Sequence, residues 1–238
     1  MSKLITVNFN NIKFEDYNAY VSSDFTLPGS ELDVQCLEVP GRDGDVILSS
    51  NRYKSISWSL PVYFMGKYNE SLSKAMQLRT LLTASPKFFN LKISKFPNWT
   101  FKAACVGPID ISHSTSDLTA EIPFNFMPYA YLESQKITVN ANSPQIITNI
   151  GTLPSKPLCK ITGSGPCTIT CGNSVMKFTG LDNGLLVDSE NESCTNLNGT
   201  KSMFSLMNSD FLEIGTGKQQ ISISNGTVEI EPRWVVRI

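Results

Sequence analysis

The sequence predicts a mainly-β protein with two β-rich domains and a single helix. Three observations carry that reading. Apolar and polar residues alternate in several separate segments, which is the period-2 mark of strands with one buried face. Asn-Gly pairs punctuate the second half, where tight two-residue turns are expected. Composition also changes abruptly along the chain. Of 23 Phe, Tyr and Trp residues, 19 precede residue 134, whereas 10 of the 15 glycines follow it. Charge does not shift with it: 12 basic against 13 acidic residues come before residue 134, and eight against eight after it. A change of composition at constant charge indicates two differently built cores, at 1–135 and 136–238. The polar, turn-prone stretch Asn140-Ala-Asn-Ser-Pro-Gln145 suits a connection near their boundary.

Taken in order, Ile5, Val7 and Phe9 open with an alternating strand. Ile56, Trp58, Leu60, Val62 and Phe64 alternate with Ser55, Ser57, Ser59, Pro61 and Tyr63 in a longer one. Pro61 cannot donate to a ladder, so this strand is expected at an edge or at a bulge. A helix is expected over about 70–84: Asn69 is placed to cap it, Leu72, Ala75, Met76, Arg79 and Leu82 recur at helical spacing, and Pro86 stops it. Phe88–Lys95 and Trp99–Val106 flank Phe96-Pro-Asn98 as a long hairpin, and Ile122, Phe124 and Phe126 mark another strand. The first domain is thus β-sandwich-like, with one helix and one long hairpin.

In the second domain Asn183-Gly184 and Asn225-Gly226 read as hairpin turns, the latter joining Ile221–Ser224 to a last strand in which Val228, Ile230, Pro232, Trp234, Val236 and Ile238 share a face. Short strands between glycine turns indicate a β-sandwich or jelly roll.

Composition excludes more functions than it suggests. Twenty Lys and Arg against 21 Asp and Glu leave a net charge of −1, without the basic field of a nucleic-acid grip. The N-terminus has no apolar run of signal-peptide type, and no window reaches membrane-spanning length, so synthesis in a reducing cytosol is expected. The six cysteines then read as free thiols and the N-glycosylation sequons as coincidental. His113 is the one histidine. Ser112, Ser114, Ser116, Asp110 and Asp117 surround it in a Ser/Thr/Asp-rich stretch that reads first as a turn. Cys167 and Cys171 share a strand face with Ile169, about 13 Å apart, which is too far to bridge and poor for a shared ion. No phosphate-binding glycine loop is present. The second domain's few aromatics, Phe178, Phe204, Phe211 and Trp234, offer little for sugar stacking. No catalytic, metal or cofactor-binding residue is therefore expected.

The most distinctive string is Val39-Pro-Gly-Arg-Asp-Gly-Asp45. Pro40-Gly41 suits a type II turn and Asp43-Gly44 a type I′ turn, and on physics alone the loop is a solvated double turn. It also resembles the signature loop of the distal tail protein (Dit) family of long, non-contractile phage tails. Further landmarks follow in order: Phe9-Asn10, Phe126-Met-Pro-Tyr-Ala-Tyr131, Pro154 and Pro157 before Gly163-Ser-Gly165, Val187-Asp-Ser-Glu190, and Glu231-Pro-Arg-Trp234. The match spans nearly the whole chain.

The resemblance implies a non-enzymatic virion protein, assembled in the host cytoplasm. Its N-terminal domain would form a homohexameric ring, decorated by a galectin-like β-sandwich. That ring would dock the tail tube above and the tail-associated lysin or spike below, and hold receptor-binding proteins at its periphery. Pro40, Gly41, Arg42, Asp43, Gly44 and Asp45 would contribute to the contact between subunits. Concentrated aromatics suit a ring-building core and interface. The alternative is a carbohydrate-binding module directed at the host cell wall, although 238 residues match the short family form, which has no inserted sugar-binding module.

Overall fold

The computed structural model describes residues 4–23, 26–113 and 118–238. Its chain divides into two compact units, Met1–Ala130 with Arg237–Ile238, and Tyr131–Val236. Both are built of strands, and no described helix is long and apolar enough to cross a membrane.

In unit 1 the elements run β1 (Val7–Phe9), β2 (Ile12–Lys13), β3 (Ala19–Val21), β4 (Leu32–Leu37), β5 (Val46–Tyr53), β6 (Ile56–Phe64), α1 (Tyr68–Leu82), β7 (Phe89–Ile93), β8 (Trp99–Cys105) and β9 (Asp110–His113), followed by β10 (Leu118–Leu132). The main sheet has the order β2-β1-β7-β8-β10-β6-β3, with β9 also on β10. β10 is its backbone: alternate residues from Leu118 to Ala130 are buried, and Leu118–Phe126 pairs antiparallel with Phe64–Ile56. The Phe96-Pro-Asn98 hairpin forms as expected between β7 and β8.

Pro61 does not mark an edge. β6 lies between β10 and β3, and Pro61 sits just past the β3 ladder, where its carbonyl accepts the Ser22 N–H at 3.0 Å. The missing donor is tolerated because β3 has ended there.

The helix begins earlier than its capping signal suggested. Lys67 is the N-cap, with no side-chain cap, and α1 ends at Leu82. Ser71, Ala75, Leu78 and Leu82 face the core, whereas Met76 and Arg79 point to solvent. The apolar spacing found in the sequence therefore ran across two faces of one helix.

The first unit's aromatics are explained from inside. Phe9 lies 5.2 Å from Phe124 and 5.7 Å from Phe89, while Phe126 touches Trp58 at 5.1 Å and Phe101 at 5.8 Å between ring centres. Offset and edge-on rings of this kind bind β1, β6, β7, β8 and β10 into one interior.

Unit 2 continues with β11 (Ile137–Asn140), β12 (Gln145–Asn149), β13 (Leu158–Thr162), β14 (Gly165–Cys171), β15 (Ser174–Leu181), β16 (Leu185–Asp188), β17 (Ser193–Asn196), β18 (Gly217–Ile223), β19 (Thr227–Glu231) and β20 (Val235–Arg237). Two sheets, β11-β19-β13-β16-β17 and β12-β18-β14-β15, enclose one apolar core, which is the β-sandwich the sequence predicts.

The Asn-Gly turns do not make hairpins. Asn183-Gly184 carries the chain from β15 to β16 and Asn225-Gly226 from β18 to β19, each crossing from one sheet to the other. Gly226, at φ +80°, is held so close that a Cβ there would lie 2.2 Å from the Thr162 carbonyl oxygen. Asn225 Nδ2 donates to the Ser164 carbonyl at 2.6 Å. The expected last strand is likewise two, broken where Arg233 adopts φ +54°.

Phe124→Ala should lower the unfolding free energy by about 3–5 kcal/mol, because it empties a fully buried ring site. Ile146, 73% exposed, should tolerate alanine within about 0.5 kcal/mol. Urea denaturation of the two variants checks the placement of the core; equal losses would contradict it.

Candidate functional site

β4 and β5 form a separate two-stranded sheet, with Leu37 opposite Val46, Cys36 opposite Ile47 and Gln35 opposite Leu48. Strand alternation puts Val34, Cys36 and Ile47 on one face and Leu37, Val46 and Leu48 on the other. Neither face is covered: Ile47 is 65% exposed, Leu48 49% and Leu37 46%. A lone hairpin is marginal in water, and its outer backbone edges invite pairing.

The root of this ribbon is fastened. Ser30 N–H donates to the Ile238 carbonyl at 2.7 Å and Lys54 N–H to the Glu31 carbonyl at 2.9 Å. Arg237 Nη1 donates to the Tyr53 hydroxyl at 2.6 Å, and the Tyr53 and Tyr129 rings meet edge-on at 6.4 Å. Arg52 Nε donates to Asp33 at 2.7 Å and holds that carboxyl below its ordinary range, although so exposed a pair adds little stability.

At the tip, Arg42 N–H donates to the Val39 carbonyl at 3.1 Å and Gly41 has φ +81°, completing the expected type II turn. The expected type I′ turn is absent: Gly44 has φ +78° but Asp43 does not share the left-handed region that turn requires. Pro40, Gly41, Arg42, Asp43, Gly44 and Asp45 are all exposed. The ribbon's one ring, Tyr53, is at its root.

His113 is exposed, with its ring 4.4 Å from Tyr68, and strand alternation turns it away from Asp110 and Ser112. Ser114, Ser116 and Asp117 lie outside the described residues. Cys167 and Cys171 are buried beside Ile169; burial pushes the Cys171 thiol up to about 11 and that of Cys159 to about 12. Among the described residues, no group of three or more His, Cys, Asp or Glu is placed to hold a metal ion. Cys36 is the one exposed cysteine.

Three stretches far apart in sequence meet in unit 2. Arg233 donates to both Asp188 oxygens, at 2.7 and 3.1 Å, and to Glu190 at 3.2 Å; Tyr131 donates its hydroxyl to the other Glu190 oxygen. Burial raises the Asp188 carboxyl, but hydrogen bonds from Arg233 and Asn191 outweigh it and leave the carboxyl below its ordinary value. Sequence reasoning noted these segments as landmarks and missed their convergence, because nothing local pairs residues 131, 190 and 233. The same unit has an open cleft of about 680 Å³, lined by Lys156, Asn173, Asp210, Phe211 and Glu213 among others. Ser189 lines it too, its buried hydroxyl without a hydrogen-bond partner among the described residues.

No family model matches the sequence, and a search of curated proteins finds no match. Solved structures do match. The SPP1 Dit (gp 19.1) protein, described as a paradigm of the hub adsorption apparatus in phages infecting Gram-positive bacteria, superposes with a TM-score of 0.78 at 15% identity, covering 96% of this chain and 98% of that one. The chain shares the fold of a phage hub protein. A chain of the phage p2 baseplate in its strontium-activated conformation matches with a TM-score of 0.51 at 10% identity, over 95% of this chain and 97% of that one.

Asp188→Asn should cost about 2–3 kcal/mol, somewhat less than breaking a fully buried ion pair. The native Asp188 titrates below its unfolded value of 3.8, so its contribution is complete above that value and disappears as pH falls through the lower folded value. Denaturation midpoints from pH 6 to pH 2 should therefore converge for the native chain and the variant. A constant gap would contradict the assignment.

Proposed function

We propose that this chain is the hub protein of a phage tail tip, a structural component of the virion without catalytic activity or cofactor. Copies close into a homohexameric ring through residues 1–135, and residues 136–238 decorate it. The ring joins the tail tube to the tail-associated lysin or spike and offers its periphery to receptor-binding proteins. The full-length likeness to a hub protein supports this reading, and the β4–β5 ribbon is the observation that carries it. An uncovered apolar hairpin on a fastened root is built to be buried by something else, and in this reading that is a neighbouring copy, with Pro40–Asp45 at the contact.

Light scattering combined with thiol labelling tests it. Cys36 should react rapidly in dilute chain and become protected as concentration drives assembly. A Cβ at Gly44 would meet no atom within 4 Å, so Gly44→Val acts through the left-handed backbone, which it strains by about 1–2 kcal/mol, and should weaken the assembly. A chain that stays monomeric with Cys36 reactive at all concentrations would refute the ring. Unchanged assembly of Gly44→Val removes the loop from the contact.

A second reading, recognition of host glycans by the second domain, is favoured by the cleft at Asp210 and Phe211. It predicts saturable glycan binding by the whole chain that Asp210→Ala abolishes; a blank glycan array ends it.

A further inference from the structure

The ribbon has a complementary surface on its own chain type. Its tip carries Glu38, Asp43 and Asp45 against Arg42 alone, and none of these is in an ion pair with another described residue. Helix α1 and its flanks, over 67–87, carry the opposite sign: Lys67, Lys74, Arg79 and Lys87 against Glu70. Lys74 is engaged with Glu70 at 3.1 Å. Lys67, Arg79 and Lys87 are exposed.

The helix also exposes apolar surface that its own unit covers only in part, the Tyr68 ring meeting His113 at 4.4 Å. Tyr68, Leu72, Met76 and Arg79 recur at four, four and three residues, so they fall along one flank beside the buried Ser71–Ala75–Leu78–Leu82 face. Tyr68 is 47% and Met76 41% exposed. That flank matches what one face of the ribbon presents in Leu37 and Leu48, opposite the face that carries Ile47: apolar side chains beside charges of the opposite sign.

Resting on the ring reading above, we propose that the α1 flank formed by Tyr68, Leu72, Met76 and Arg79 receives the β4–β5 ribbon of the neighbouring copy, with Arg79 facing the acidic tip. The contact is heterologous, because ribbon and helix are different surfaces of one chain. Repeating such a contact closes a ring when the rotation permits. Burying apolar side chains supplies the attraction, and opposite charge sets the register and suppresses wrong pairings.

A charge exchange tests it in the full chain. Arg79→Glu alone, and Asp43→Lys with Asp45→Lys, should each raise the concentration needed for assembly, on the order of tenfold. The three changes combined should restore it, since the basic tip then faces the carboxylate introduced at position 79. Lys74→Glu, on the opposite flank, should leave assembly unchanged. Asp43, Asp45 and Arg79 are exposed, so the unfolding midpoints of their variants should stay at the native value and separate loss of contact from loss of fold, whereas Lys74→Glu, which loses its Glu70 partner, lowers only its own midpoint. If the native chain assembles and Arg79→Glu assembles equally well, or if the combined variant is not restored, the ribbon is received elsewhere and this proposal is overturned while the ring stands. If Lys74→Glu weakens assembly as much as Arg79→Glu, only net charge matters and the proposal also fails. A native chain that remains monomeric removes the ring and this contact together.

Discussion

A two-stranded β-ribbon has no interior. Burying side chains takes a second layer, and the segment from Leu32 to Tyr53 has none within its own unit. Its outward backbone groups can rely on water, but Leu37, Val39, Ile47 and Leu48 gain nothing from exposure. Fastening the root by Ser30–Ile238 and Arg237–Tyr53 hydrogen bonds holds such a ribbon in place without covering it. Much else about the chain follows from that constraint: a chain that leaves one apolar ribbon uncovered must hold it on a scaffold stable enough to tolerate the exposure.

The scaffold meets the need in two ways. Unit 1 concentrates rings between the strands that pack on β10, so its interior is dense and specific, and the ribbon is free of aromatic residues beyond its root. Unit 2 relies instead on two sheets around mostly aliphatic side chains, methionine and buried thiols, with Phe178 and Trp234 among them and a partly buried ionic clamp at Arg233. Arg233 holds a left-handed backbone between β19 and β20, and its guanidinium, gripped by Asp188 and Glu190, fixes the place where the last strand changes course. The pronounced compositional difference between the halves of the sequence thus corresponds to two ways of filling a core.

Much of the fold was legible in the sequence, and what was not has physical reasons. Alternation at Ile56–Phe64 and Ile122–Phe126 located two strands that turn out to pair with each other, because a buried face imposes period 2 whatever the partner. Asn-Gly at 183–184 and 225–226 located turns, but turn chemistry encodes a reversal of the chain and not the sheet that receives it. Helix α1 starts without a capping side chain, so the nearest capping residue, Asn69, misplaced it by two positions. At the candidate site, the residues from Pro40 to Asp45 could be singled out from sequence, whereas the bare ribbon carrying them could not. A strand pair with nothing packed on it reads locally like any other, and only the fold reveals what is left uncovered. The Arg233 clamp was similarly invisible, since its members lie tens of residues apart.

Averaged electron-microscope images of the purified chain, at concentrations that protect Cys36, test whether its copies close into a ring. Closed rings with sixfold symmetry are expected. Isolated monomers, or open filaments that never close, would contradict the ring.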